Sequence, residues 1–172
     1  SSGKTAFLLN LIDHMAIHLE KPGLLFSAEM SITAIVQRLI FTRARFSLAS
    51  LARGYTPNKG DLQRIHRATL EVANAKIFID DTEGPSVSYI RAKARRMKRE
   101  HGIDWVAGDY AQLMKSGTKQ AAFSREREVA EISAGWKGMA KELEVPGILL
   151  AQLNRMSENR TGKSVGIPKM SD

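Results

Sequence analysis

The sequence predicts an α/β fold, a mostly parallel sheet flanked by helices. Three observations carry this. Four short apolar runs recur along the chain, helical periodicity fills the gaps between them, and the runs do not alternate apolar with polar residues. A strand that does not alternate is buried on both faces, as the strands of a parallel sheet are. Strands separated by helices form crossover units, which places the chain in the α/β class.

Each element follows from its residues in turn. Phe7, Leu8, Leu11, Met15 and Leu19 share one face of a first helix. A strand is expected over Gly23–Ala28, ending at the polar Glu29. Ile32, Ile35, Val36, Leu39 and Ile40 form the stripe of a second helix, and Leu62, Ile65, Ala68, Thr69 and Val72 that of a third. Strands over Lys76–Asp80 and Asp104–Asp109 flank a basic helix with the apolar stripe Val87, Ile90, Ala94 and Met97. Val129, Ile132, Trp136, Met139 and Leu143 line a last helix, closed by Pro146 before the strand Gly147–Gln152. Two segments fit neither period: Lys115–Arg125 and Ser157–Asp172. Each follows a strand, and in open α/β sheets ligands bind at the strand C-termini.

Composition narrows the function classes. The chain has 172 residues, and 26 Lys and Arg against 18 Asp and Glu leave a net charge of +8, which favours an anionic partner. At this length a single domain spanning residues 1–172 is expected. No apolar stretch reaches the roughly 18–20 residues that cross a bilayer, so no membrane partner is expected. Ser1 to Thr5 lack the order of a secretory leader, and the chain has no Cys, which excludes disulfides and thiolate chemistry. A cytoplasmic setting is the corresponding expectation.

The chemistry begins at Ser2-Gly3-Lys4-Thr5, directly before the first helix. This is the second half of the phosphate-binding pattern G-x-x-x-x-G-K-[ST]. There Gly lets the backbone approach phosphates, amides at the helix start cradle them, Lys neutralises the β and γ oxygens, and the Thr hydroxyl takes Mg²⁺. An acidic residue at the end of a buried strand should share that ion. The hydrophobic run selects Asp80, after Ile77-Phe78-Ile79, over Asp109, whose strand Gly108 interrupts. The alternative is that Asp80 and Asp81 only end a strand and open the turn through Gly84-Pro85. Glu29, at the end of the first strand, has the chemistry to deprotonate an attacking water. Gln152 ends the last strand, where an amide can sense a γ-phosphate. The pair His14 and His18 has the spacing of zinc ligands but lacks the Glu of H-E-x-x-H and an evident third ligand, so no metal site is expected there. The cations from Arg91 to Arg99 read equally as a nucleic-acid patch or a solvated helix face.

Taken in order, Gly3-Lys4-Thr5, Phe26-Ser27-Ala28-Glu29-Met30, Asp109-Tyr110-Ala111-Gln112-Leu113-Met114 and Gln152-Leu153-Asn154-Arg155 resemble the successive motifs of the RecA-like ATPase domain of DnaB-type replicative DNA helicases. Tyr89–Gly102 and Ala130–Pro146 are similar to further segments of that family, so the resemblance spans essentially the whole chain. It implies a RecA-like P-loop NTPase core and a homo-hexameric ring helicase. Such a ring hydrolyses ATP or another NTP with Mg²⁺ at subunit interfaces, translocates on single-stranded DNA and unwinds duplex during DNA replication. A primase and a helicase loader are implied partners, and the nucleoid or replisome the setting.

By motif position, Ser2, Gly3, Lys4, Thr5 and Arg38 would contact nucleotide, and Thr5 and Asp109 the Mg²⁺. Glu29 would be the catalytic base and Gln152 the γ-phosphate sensor. The resemblance thus selects Asp109 where the apolar pattern selects Asp80. DNA is assigned to the two irregular segments, through Lys115, Lys119, Arg125, Arg155, Arg160, Lys163 and Lys169. Relative to that family the domain reads as incomplete at both ends, lacking the first P-loop half and the arginine-finger segment. A RecA- or RadA-type recombinase and a non-catalytic DNA-binding or helicase-interacting module are the alternatives.

Overall fold

The computed structural model describes residues 3–115 and 125–152. Helix α1 (Lys4–Asp13) runs on through a π-helical turn at His14–His18 to strand β1 (Gly23–Ser27). Helices α2 (Ile32–Arg43), α3 (Leu48–Ala52) and α4 (Lys59–Asn74) lead to β2 (Ile77–Asp80). Helix α5 (Val87–His101), β3 (Trp105–Asp109), a 3-10 turn at Ala111–Leu113, α6 (Arg125–Leu143) and β4 (Gly147–Leu149) complete the order. The four strands form one parallel sheet in the order β2-β1-β3-β4. The predicted class is met, and the predicted strands are one to three residues too long at their ends.

Alternate residues of the central strands feed two cores. Leu24, Phe26 and Val106 pack under α5 and α6 with Ile90, Met97, Ile132 and Met139. Leu25, Trp105 and Ala107 pack under α1, α2 and α4 with Leu8, Ile12, Ile35, Leu39 and Val72. Burial on both faces is why these strands read as unbroken apolar runs.

Three helix starts are capped by side chains. Ser31 accepts from the Ala34 amide, Ser86 from the Tyr89 amide, and Asn58 with Asp61 forms a reciprocal capping box on α4. Three helix stripes need correction. In α1 the buried face is Leu8, Leu9, Ile12 and, through the π turn, Ala16, whereas Phe7 and Leu19 are exposed. For Leu19, the wider π turn before it shifts the phase that a 3.6-residue period assumes. Ile32 sits in the first turn of α2, above the core, and is exposed. On α4, Ala68 and Val72 are buried as the stripe requires, but Leu62 and Thr69 face outward and Asp61 is buried. The short α3 was not anticipated, because five residues carry no helical period. The stripe of α6 holds: Ile132, Trp136 and Met139 are buried, with Val129 and Leu143 half-buried.

Gly108, the residue that interrupts the β3 run, has a packing reason. A Cβ there would lie 2.8 Å from the Trp136 ring, 2.9 Å from Met114 and 3.0 Å from Leu149. The Trp136 indole, edge-on to Phe26 at 6.1 Å, fills the volume that a side chain at position 108 would need. Gly108→Val should therefore destabilise the fold by about 1–3 kcal/mol through overpacking. Adding Trp136→Leu should recover part of that loss. Denaturant unfolding checks both, and wild-type stability for Gly108→Val would show that the indole does not occupy this space.

Candidate functional site

The site lies where α1 begins and the central strands end. Gly3 caps α1 in the left-handed region (φ 73°), a conformation Gly adopts without the Cβ penalty of other residues. It leads straight into Lys4 and Thr5, so free amides of the first turn point out of the helix start. The Thr5 hydroxyl donates to Asp109 Oδ2 at 2.7 Å, across 104 residues of sequence. This bond fixes the helix start over the C-terminal end of β3. Lys4 Nζ lies 4.9 Å from the centroid of the Tyr110 ring, a cation–π arrangement. Ser2 lies outside the described residues.

Sheet register aligns the other candidates. Ser27 pairs with Asp109, and Gly108 with Leu149, so β1, β3 and β4 end side by side. Past those ends the ladder continues: the Ala28 amide donates to the Asp109 carbonyl at 3.0 Å, and the Ala111 amide to the Leu150 carbonyl at 2.8 Å. Glu29 and Gln152 therefore leave the sheet on either side of Asp109, and both are exposed. Arg38 is exposed on α2, with no hydrogen bond or ion pair to another site residue among the described residues.

The two competing aspartates have different surroundings. Asp109 is 1% exposed, one carboxylate oxygen holds the Thr5 hydroxyl, and Oδ1 is buried without a hydrogen-bond partner among the described residues. A buried carboxylate oxygen left open beside a threonine hydroxyl is the hard-oxygen donor set that Mg²⁺ takes, directly or through its waters. Asp80, at the end of β2, is instead fully engaged. It accepts from Tyr89 Oη at 2.8 Å and the Thr82 amide at 3.1 Å, and pairs with Lys93 Nζ at 3.1 Å. Burial pushes the Asp80 carboxyl up, but those hydrogen bonds outweigh it and hold its pKa below the ordinary value. Asp80 is thus a strut between β2 and α5, and both of its carboxylate oxygens already hold partners.

Of the residues assigned to DNA, Lys115 is exposed and its backbone is stitched to the start of α5, accepting from Val87 and donating to Pro85. Lys119, Arg155, Arg160, Lys163 and Lys169 lie outside the described residues, and only the backbone of Arg125, which opens α6, is described. The basic helix is largely neutralised from within. Arg91 and Arg95 both bind Glu142 on α6, Lys93 binds Asp80, and Arg96 pairs with Glu100. Hydrogen bonds from Arg95 and Arg91 lower the Glu142 pKa to about 2, so this pairing persists through the neutral range. His14 and His18 stack loosely at 5.7 Å, and the described residues contain no cluster of three or more metal-ligating side chains.

One residue of the site carried no assigned role in the sequence. The Gln112 side-chain amide donates to the Gln152 carbonyl and accepts from the Gln152 amide, each at 3.0 Å. It extends the β3–β4 ladder beyond its backbone and fixes the chain at Gln152. The only signal was its place in Asp109-Tyr110-Ala111-Gln112, because a partner 40 residues away leaves no local pattern. A groove between α6 and β4, lined by Trp136, Lys137, Ala140, Lys141 and Gly147, holds none of the predicted site residues. No helix among the described residues is long and apolar enough to cross a membrane.

A protein-family model for the DnaB-like helicase C-terminal domain matches residues 1–172. The chain is 40% identical over 173 residues to the replicative DNA helicase DnaB of Geobacillus stearothermophilus, covering 100% of this chain and 37% of that protein. It is 38% identical over 172 residues to the replicative DNA helicase DnaC of Bacillus subtilis (strain 168), again covering 100% of this chain and 37% of the relative. The chain therefore spans little more than a third of the length of these relatives. Among solved structures, it superposes on a DnaB-like replicative helicase described with its interactions with primase at a TM-score of 0.85 and 35% identity. That match covers 100% of this chain and 41% of the other. It superposes on a second solved structure, an isolated ATPase domain, at a TM-score of 0.83 and 34% identity, covering 94% of this chain and 57% of the other.

The contrast between the aspartates predicts a pH response. A carboxylate whose pKa is lowered on folding stabilises the fold above its unfolded value of about 3.9 and loses that contribution as pH falls through the lower folded value. Asp80→Asn should lower stability at neutral pH, and its deficit against wild type should shrink as pH is brought down to about 3. Unfolding midpoints measured across pH check this. A deficit that stays constant with pH would mean that Asp80 carries no charge-dependent stabilisation.

Proposed function

The chain belongs to the DnaB-like helicase C-terminal domain family, and from that premise we propose that it is the motor of a replicative DNA helicase that couples ATP hydrolysis to movement along single-stranded DNA. The observation that carries this reading is the Thr5–Asp109 hydrogen bond, which brings a phosphate-loop threonine onto a buried strand-end carboxylate with one open oxygen. Ser2, Gly3 and Lys4 would hold the phosphates, Lys4 leaving the Tyr110 ring to do so, and Arg38 would approach the nucleotide from α2. Thr5 and Asp109 would hold Mg²⁺, which supplies charge neutralisation at the β and γ oxygens. Glu29 would take the proton of the attacking water, and Gln152, steadied by Gln112, would register the γ-phosphate.

The ring hexamer, the primase and the loader belong to the same proposal. A solved relative described with its interactions with primase supports that partner class. The internal pairing of α5 supports assigning DNA to the two irregular segments rather than to the basic helix. The intact Thr5–Asp109 contact speaks against a decayed, non-catalytic module. No observation favours a recombinase over a helicase.

A two-armed experiment on the full-length protein tests the reading. In the nucleotide arm, Lys4→Ala should abolish tight ATP binding and with it DNA-stimulated hydrolysis, since it removes the ammonium that would neutralise the β and γ phosphates. Unchanged ATP affinity would remove the P-loop assignment. In the DNA arm, each phosphate neutralised on single-stranded DNA contributes ~0.7 to the slope of log affinity against log salt. Arg160→Ala with Lys163→Ala should weaken binding and flatten that slope while ATP still binds, and Arg95→Ala with Arg99→Ala should do much less. The reverse order would move the DNA path to α5.

A further inference from the structure

Asp81 is an exposed carboxylate just past β2, and it is not used by the site described above. Its Oδ2 accepts from the backbone amide of Ile32 at 3.0 Å, across 49 residues of sequence. That amide belongs to the first turn of α2, one of the donors that a helix leaves without an internal partner. Ser31, the N-cap, satisfies a different one, at Ala34. On the other side of the same turn, Ser27 is 2% exposed, and its hydroxyl donates to the Met30 carbonyl at 2.7 Å while accepting from the Met30 amide at 3.3 Å.

The turn held between these two anchors is Ala28-Glu29-Met30-Ser31. It hangs from the end of β1, and its one acidic side chain is Glu29. Ser27 closes the turn on the strand side, and Asp81 fixes it on the helix side from a neighbouring strand. Asp81 ties the start of α2 to the end of β2 by a hydrogen bond that does not run through the turn. Asp80 and Asp81 thus divide two tasks: the first braces β2 against α5, and the second reaches over to α2.

We propose that Asp81 is a positioning residue for Glu29. By pinning the Ile32 amide, it sets the direction in which the Glu29 carboxylate leaves the sheet edge. The inference rests on the assignment of Glu29 as the base. A base misplaced by about 1 Å can cost up to about a hundredfold in rate, whereas phosphate binding at Lys4 and Thr5 does not pass through this turn.

The test is steady-state ATP hydrolysis and nucleotide binding by the full-length protein carrying Asp81→Ala, Asp81→Asn, Glu29→Gln, or Glu29→Gln with Asp81→Ala. Asp81→Ala should lower kcat by roughly 10- to 100-fold with KM and nucleotide affinity unchanged. Asp81→Asn keeps an acceptor oxygen and should restore most of the rate. In the Glu29→Gln background, Asp81→Ala should cause no further loss, because the group it positions is already gone. A large loss in Glu29→Gln with wild-type kcat in Asp81→Ala would overturn the inference and leave the base assignment standing. A further loss of the same size in the double variant would also overturn it, since Asp81 would then act on something other than Glu29. Wild-type turnover in Glu29→Gln would overturn the base assignment itself and this inference with it.

Discussion

The hydrogen bond from the Thr5 hydroxyl to Asp109 joins the start of the first helix to the end of the third strand. The seating of α1 over the sheet edge depends on this junction. The helix start can present its amides over the sheet edge only because Asp109 ends β3 at the same level as Ser27 ends β1. That level is set by the parallel register, which the two apolar cores hold by packing alternate strand residues against opposite helix layers. A hydrogen bond to a charged group is worth about 1.5–3 kcal/mol. A bond of that size cannot organise a sheet. It can select one seating of α1 on a sheet that is already built.

The surroundings of Asp80 and Asp109 separate what each can do. Asp80 has its carboxylate filled by Tyr89, Thr82 and Lys93, so its charge is spent on structure. Asp109 is buried still more deeply, yet one of its oxygens has no hydrogen-bond partner among the described residues. An unpartnered charged oxygen in a low-dielectric setting is costly to leave so, and a divalent cation removes that cost. The same contrast runs through the cations. Those on α5 are drawn to Glu142, Asp80 and Glu100, while Lys4 rests on the face of an aromatic ring that a phosphate can readily outcompete.

Much of the fold was legible because buried parallel strands and amphipathic helices leave strong local patterns. The four strands were found within a few residues, and the stripe of α6 was read directly. Leu19 was misread because the π turn at His14–His18 changes the helical phase before it, and Phe7 because it flanks the Leu8, Leu9 and Ile12 face in the first turn of α1. The short α3 had too few residues to show a period. The site was harder, since its decisive contacts are non-local. The apolar run before Asp80 is better than the one before Asp109, and Gly108 looked like a defect. Only the packing of Trp136 explains that glycine, and only the seating of α1 shows which aspartate meets Thr5. Gln112 showed only through its place in a motif and Asp81 through no functional role at all, because a side chain that holds a distant backbone amide has no sequence period.

On this reading Asp109, not Asp80, is the carboxylate that serves Mg²⁺. The most direct measurement is a Mg²⁺ titration of nucleotide affinity and hydrolysis in the full-length protein, comparing wild type with Asp109→Asn and Asp80→Asn. Asp109→Asn should lose the Mg²⁺-dependent gain in affinity and nearly all hydrolysis, while Asp80→Asn keeps both at temperatures where it remains folded. Retained Mg²⁺ dependence in Asp109→Asn, with its loss in Asp80→Asn, would contradict that assignment.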